Sequence, residues 1–202
     1  MRYVWVDSGN DVDVATFEKH DIDGAFFDID DPRVTKRYLM HVRDDLGLTV
    51  GVYVAWNWGP YVGLSGAEFA EAVDARLSEI VPKTSAGRFP KVQFNDETHD
   101  PQRIQDLVVR WRQLRKYRDT SWTMEGMQGG WMSPNLVQVL NSRRIRVVPQ
   151  TYTGNMTPQD VNAVIADVAN RGIKAITPHR DAARIQPWPE EGFYFTGGRL
   201  PR

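Results

Sequence analysis

KVQFNDETHDPQRIQDLVVRWRQLRKY, residues 91–117, decides how the rest of the chain is read. KVQFN (91–95) is a short strand-type run that ends in the polar triplet Asn95-Asp96-Glu97. Asp100-Pro101 then sets a cap residue directly before a proline at the first helical position. From there Ile104, Leu107, Val108, Trp111 and Leu114 recur at helical intervals over 101–117, with arginines and glutamines between them. The stretch reads as one strand, one polar loop and one amphipathic helix.

The same unit recurs along the chain. Strand-type runs are YVWVD (3–7), GAFFDID (24–30), LTVGVYVAW (48–56), KVQFN (91–95), TSWTMEG (120–126), IRVVPQ (145–150), IKAITP (173–178) and GFYFTG (192–197). They are nearly continuous rather than strictly alternating, which suits a parallel sheet covered on both faces. Asp31-Pro32, Ser133-Pro134 and Thr157-Pro158 repeat the cap-proline start, and Ser65-Gly66-Ala67-Glu68 has capping-box spacing. Gly47 and Gly172 stand where helices end, before the third and seventh strands.

Eight strands alternating with helices predict an α/β fold, a single small (β/α)8 TIM-type barrel over residues 1–202. Only GGRLPR (197–202) follows the last strand, so the last helix is expected to be absent. A doubly wound open sheet is the competing fold, and nothing resembling GxGxxG follows the first strand to favour it. The loop VPKTSAGRFP (81–90) falls in the longest interval between strands and reads as a loop within one domain.

Composition narrows the function classes. Of 202 residues, 41% are hydrophobic and 25% charged, and the formal net charge of -1 suggests neither a nucleic-acid surface nor a membrane patch. With no cysteine, disulfides and thiolate metal sites are excluded. No signal-peptide h-region opens the chain and no apolar run reaches the roughly 18 residues of a spanning helix. A soluble protein is expected, its compartment undetermined.

In a parallel barrel the loops after the strands surround one mouth. Here the strands end in Asp7, in Asp28 and Asp30 (two apart and so on one face), in Trp56-Asn57-Trp58, and in Asn95-Asp96-Glu97. The later ones end in Glu125 with Trp131 beyond, in Gln150 and Tyr152, and in His179 and Asp181. The opposite ends carry mainly Arg, Lys and Gly. Asp and Asn cap loops and helices in any protein, and Asp100 reads as a cap alone. Capping does not call for glutamates at two strand ends or tryptophans beside amides.

A sugar site uses that set. Glycoside cleavage needs one protonated carboxylic acid and a second group that stabilises an oxocarbenium-like centre. Aromatic faces platform sugar rings, and amides and carboxylates bind hydroxyls. Glu97 follows Gln93 and Asn95 at even spacing, so all three are expected to face the barrel axis. Glu97 is the expected acid and Glu125 the second carboxylate, with Asp28 and Asp7 behind them. Asp30, Trp56, Asn57, Trp58, Asn95, Trp131, Gln150, Tyr152 and His179 are the expected binding residues, and Trp111 a core residue.

No cofactor and no metal are expected. Asp7, Asp28, Asp30, Glu97, His179 and Asp181 have the chemistry to ligate a divalent ion, but no HxH pair follows the first strand and no HExxH occurs. A Ser-His-Asp hydrolase lacks its GxSxG elbow.

Three short motifs carry a resemblance: Asp7-Ser8 ending the first strand, Asn95-Asp96-Glu97 ending the fourth, and Val148-Pro149-Gln150-Thr151-Tyr152 ending the sixth. With them the chain resembles glycoside-hydrolase-type TIM barrels. It is most similar to compact lysozyme-like (family 25) barrels and to related domains of actinobacteriophage tail proteins. In that family an aspartate ends the first strand and a D-x-E motif ends the fourth, with the glutamate as acid. Glu97 matches the glutamate, whereas Asn95 stands where the family has its first aspartate. An amide cannot serve as nucleophile or base, but it can orient a substrate's N-acetyl group.

The resemblance implies a barrel acting on cell-wall or surface polysaccharide, with carbohydrate as partner. The alternative is a non-catalytic, glycan-binding or structural component of a phage tail or baseplate. Its partners would then be other subunits of the particle or further copies of the chain.

Overall fold

A computed structural model describes residues 2–6, 17–18, 21–56, 59–81, 89–96, 100–116, 119–125, 132–150, 157–176, 179–181 and 192–195. In chain order the elements are β1 (Arg2–Val6), β2 (Gly24–Asp28), α1 (Lys36–Asp44), β3 (Thr49–Ala55), a 3-10 turn (Gly59–Tyr61) and α2 (Gly66–Ile80). Then follow β4 (Lys91–Asp96), α3 (Pro101–Leu114), β5 (Thr120–Glu125), α4 (Pro134–Ser142), β6 (Arg146–Gln150), α5 (Pro158–Asn170), β7 (His179–Asp181) and β8 (Gly192–Phe195).

The strands form one eight-stranded sheet in the order β6-β5-β4-β3-β2-β1-β8-β7, and every pairing is parallel. Sequence neighbours are sheet neighbours throughout, without the reversal of order that defines a doubly wound sheet. The free edges meet where Ile176, just before β7, bridges in parallel to Val147 of β6, and Val147 N–H donates to Ala175 O at 2.8 Å. The sheet is a (β/α)8 TIM-type barrel.

Strand alternation sorts the side chains into two cores. Outward residues such as Val4, Phe27, Val52, Val54, Phe94, Trp122 and Val147 pack with the helices in the larger one. Inward residues Tyr3, Trp5, Phe26 and Val148, with Tyr53 against them, make a second, smaller core inside the barrel. Two separate cores, one on each face of the sheet, are what closure produces. Trp111 lies in the outer core at 1% exposure and donates its Nε1 to Thr120 Oγ1 at 3.0 Å.

Helix starts follow the cap chemistry. Asp100 accepts from the N–H groups of Gln102 and Arg103, and Ser133 from that of Leu136. Ser65 with Glu68 and Thr157 with Asp160 form complete capping boxes. Gly47 and Gly172 take φ of +68° and +91°, the left-handed turn that glycine makes without a Cβ clash.

Two expectations are corrected. Asp31-Pro32 does not open a helix; Thr35 caps α1 instead. Asp31 is drawn into a turn, accepting from Arg33 N–H and pairing with the Arg33 guanidinium at 2.7 Å, which leaves it no role at a helix end. Of the expected seventh strand 173–178, residues 173–176 hold only a single bridge, at Ile176, and the ladder to β8 begins at His179; residues 177–178 lie outside the described residues.

Candidate active site at the barrel mouth

The C-terminal strand ends bring one subset of the expected residues together. On β2, alternation from the inward Phe26 turns Asp28 inward, where it is half-buried and in register with Tyr53. On β4, Gln93 and Asn95 face inward. Gln93 is fully buried; its Oε1 accepts from Trp5 Nε1 at 2.5 Å and its Nε2 donates to Ser121 Oγ at 3.4 Å. Asn95 is in register with Ala55 on one side and Thr123 on the other. Glu125 ends β5, and its register partner Gln150 ends β6.

Below these groups lies an aromatic floor. The Trp5 and Tyr53 rings lie 6.0 Å apart at 37°. Beneath them Tyr3 meets Phe26 edge to face at 5.6 Å, and Lys91 Nζ sits 5.3 Å from the Tyr3 ring centre, paired with Asp119 at 3.3 Å. Along the β4–β5 seam, inward pairs are therefore polar from base to mouth: Lys91 with Asp119, Gln93 with Ser121, Asn95 with Thr123.

Asp28 and Asp30 do not share a strand face, because β2 stops at Asp28 and Ile29-Asp30 turns. Asp30 N–H donates to Asp28 Oδ1 at 3.0 Å, and Asp30 Oδ1 accepts from Tyr61 OH at 2.9 Å. The three groups form one chain from the 3-10 turn to the end of β2. Burial raises the Tyr61 phenol well above its ordinary pKa, and the neighbouring Asp30 charge and hydrogen bond add to the shift, so Tyr61 stays a protonated donor.

Trp56 is corrected. The sequence expectation is a sugar-binding residue, but Trp56 is 1% exposed and continues the outward series Val50, Val52, Val54. Its ring stacks on Phe69 at 4.5 Å and carries the Arg103 guanidinium at 4.1 Å, so both faces are occupied. Both tryptophan and valine fit a helix-facing slot, and only the parity of the strand tells them apart from a mouth residue. His179 opens β7 rather than following it. The backbones of Glu125, Gln150 and His179 are described and their side chains are not; Asp7, Asn57, Trp58, Glu97, Trp131 and Tyr152 lie outside the described residues.

Tyr61 and Thr123 were not singled out from sequence. For Thr123 the signal was alternation: Trp122 packs outward, so Thr123 must face the barrel. Tyr61 gave none, since its bond to Asp30 spans 31 positions.

No protein-family model matches the chain, and no curated protein sequence does. Among solved structures it is similar to a GH18 chitinase from Pseudoalteromonas aurantia, at 11% identity and a TM-score of 0.65, over 96% of this chain and 92% of that one. It is also similar to the ICChI chitinase from Ipomoea carnea, at 12% identity and a TM-score of 0.58, over 95% and 93% of the two chains. At such identities the likeness is one of fold alone, a TIM-type barrel. Among the described residues no helix is long and apolar enough to cross a membrane.

Proposed function

We propose that residues 1–202 form one domain, a glycoside hydrolase acting on cell-wall or surface polysaccharide, with Glu97 as general acid. One observation carries the reading. The β4–β5 register pairs Asn95 with Thr123 on the inner face, and the same two-residue step along each strand leads in sequence to Glu97 and Glu125. Two carboxylic acids from adjacent strands at one barrel mouth are the equipment of glycoside cleavage. Asp28, turned inward on β2, supplies a third carboxylate, and the Trp5 and Tyr53 rings an aromatic floor.

Asn95 shapes the mechanism. Its amide cannot attack an anomeric carbon, whereas a substrate's own acetamido oxygen can do so in substrate-assisted cleavage. Asn95 would orient that group while Glu97 protonates the leaving oxygen. This favours an N-acetylated polymer, and both structural neighbours named above are chitinases. Gln150, Tyr152, Asn57, Trp58 and Trp131 would line the sugar path, with Asp30, His179 and Asp7 at its rim. The family 25 kinship belongs to this reading too, on its three motifs alone.

The amide at position 95 also favours a second reading, a glycan-binding or structural module of a phage tail that no longer cleaves. The two separate in one assay, in which the protein is incubated with peptidoglycan, host-wall polysaccharide and chitin while binding and new reducing ends are followed together. Release from any of them supports the hydrolase. Binding without release supports the module, and neither binding nor release rejects a carbohydrate function.

A further inference from the structure

The polar seam inside the barrel is complete at every step but one. Lys91 pairs with Asp119 at its base, and Gln93 bonds both Trp5 and Ser121 in its middle. At the top step Thr123 is 0% exposed and its Oγ1 has no hydrogen-bond partner. Two other buried polar atoms among the described residues share that state, Trp122 Nε1 and Arg115 Nη1. Trp122 faces the helices, and Arg115 spends its other nitrogens on Asp74 and Ser78. Thr123 alone faces the barrel interior, beside Asn95 and one inward step below Glu125.

An unpaired buried hydroxyl costs free energy that valine, of the same shape, would not incur. In register, Thr123 stands between the polar Asn95 on β4 and the apolar Val148 on β6. We propose that Thr123 is a ligand-binding residue of the mouth: its hydroxyl is held for a hydrogen-bonding substituent of the bound sugar, next to the Asn95 amide. The inference rests on the carbohydrate reading above and deepens it by naming a contact that reading did not contain.

Thr123→Val and Thr123→Ser separate this role from packing. Binding of a soluble N-acetylglucosamine oligomer is measured by calorimetry for wild type and both variants, with melting curves alongside. Thr123→Val is expected to bind about tenfold more weakly, the loss of one hydrogen bond, and to melt no lower than wild type. Thr123→Ser is expected to keep wild-type affinity. Equal affinity in Thr123→Val overturns the inference and leaves the carbohydrate reading standing. A markedly lower melting temperature in that variant also overturns it, by showing the hydroxyl to be engaged in the free protein. A wild type that binds no oligomer overturns the inference together with the N-acetylated-polymer reading it rests on.

Discussion

Tyr61 shows how a single residue connects burial to the site. It is 3% exposed, packs edge to face on Phe69 at 5.2 Å, and donates to Asp30, whose N–H holds Asp28. Because the folded state keeps the phenol protonated past its ordinary value of 10.0, the unfolded chain gives up its proton first. The contribution is therefore intact below about pH 10 and lost as pH rises beyond it. Thermal melts across that range are expected to fall more steeply for wild type than for Tyr61→Phe, which at neutral pH loses only about 1 kcal/mol for the hydrogen bond. Parallel curves would remove Tyr61 from the account. At this scale the sequence was partly legible. Gln93 and Asn95 face the axis because a strand alternates, and parity needs only one anchored residue. Asp30 and Trp56 depart from that alternation rule for separate reasons: β2 stops at Asp28, and Trp56 continues a valine series toward the helices.

Between elements, α2 and α3 are the tightest pair. Gly66 opens α2 against the α3 backbone, where a Cβ would lie 2.0 Å from Arg103 O and 2.6 Å from Leu107 N. Neither contact is relieved by a side-chain rotation, so Gly66→Ala is expected to destabilise by roughly 1–3 kcal/mol, read from the shift in urea midpoint. At the far end of the same pair, Arg115 Nε and Asp74 Oδ1 make a buried ion pair at 2.5 Å, with side chains 3% and 11% exposed. Asp74→Ala strands the guanidinium and is expected to cost about 3–5 kcal/mol, a fall in melting temperature of roughly ten degrees. A change within a degree or two would show the pair to be dispensable. Element starts were the most legible feature of this sequence, because capping chemistry is local: Ser65, Asp100, Ser133 and Thr157 all cap as their motifs require. The failure at Asp31 has a local cause as well, since Arg33 offers its carboxylate a stronger partner than a helix end. Ile176 and His179 needed knowledge of which strands they would meet, and no local signal carries that.

For the whole molecule, the register itself states the architecture. From Ile176 the pairings run through Val147, Trp122 and Phe94 to Val54. Two residues back, Val52 pairs with Phe27 and so with Val6; two residues back again, Val4 pairs with Tyr194 and so with Arg180. Restoring those four steps, the circuit closes eight positions beyond Ile176, the shear of about eight that an eight-stranded TIM barrel requires. Closure is what gathers the strand ends of β2, β4, β5 and β6 around one mouth and makes Asp28, Asn95, Glu125 and Gln150 neighbours rather than points along an edge. The fold class was legible from alternation and caps; which chemistry the mouth performs was less so, because barrel mouths are built from loops whose geometry no periodicity encodes.

The most direct measurement is reducing-end release from an N-acetylated wall polysaccharide by wild type and Glu97→Gln, each checked for an unchanged melting temperature. With Glu97 as the acid, wild type releases sugar and the variant does so about 10²–10⁴ times more slowly while still binding the polymer. Release by the variant at the wild-type rate would contradict the account.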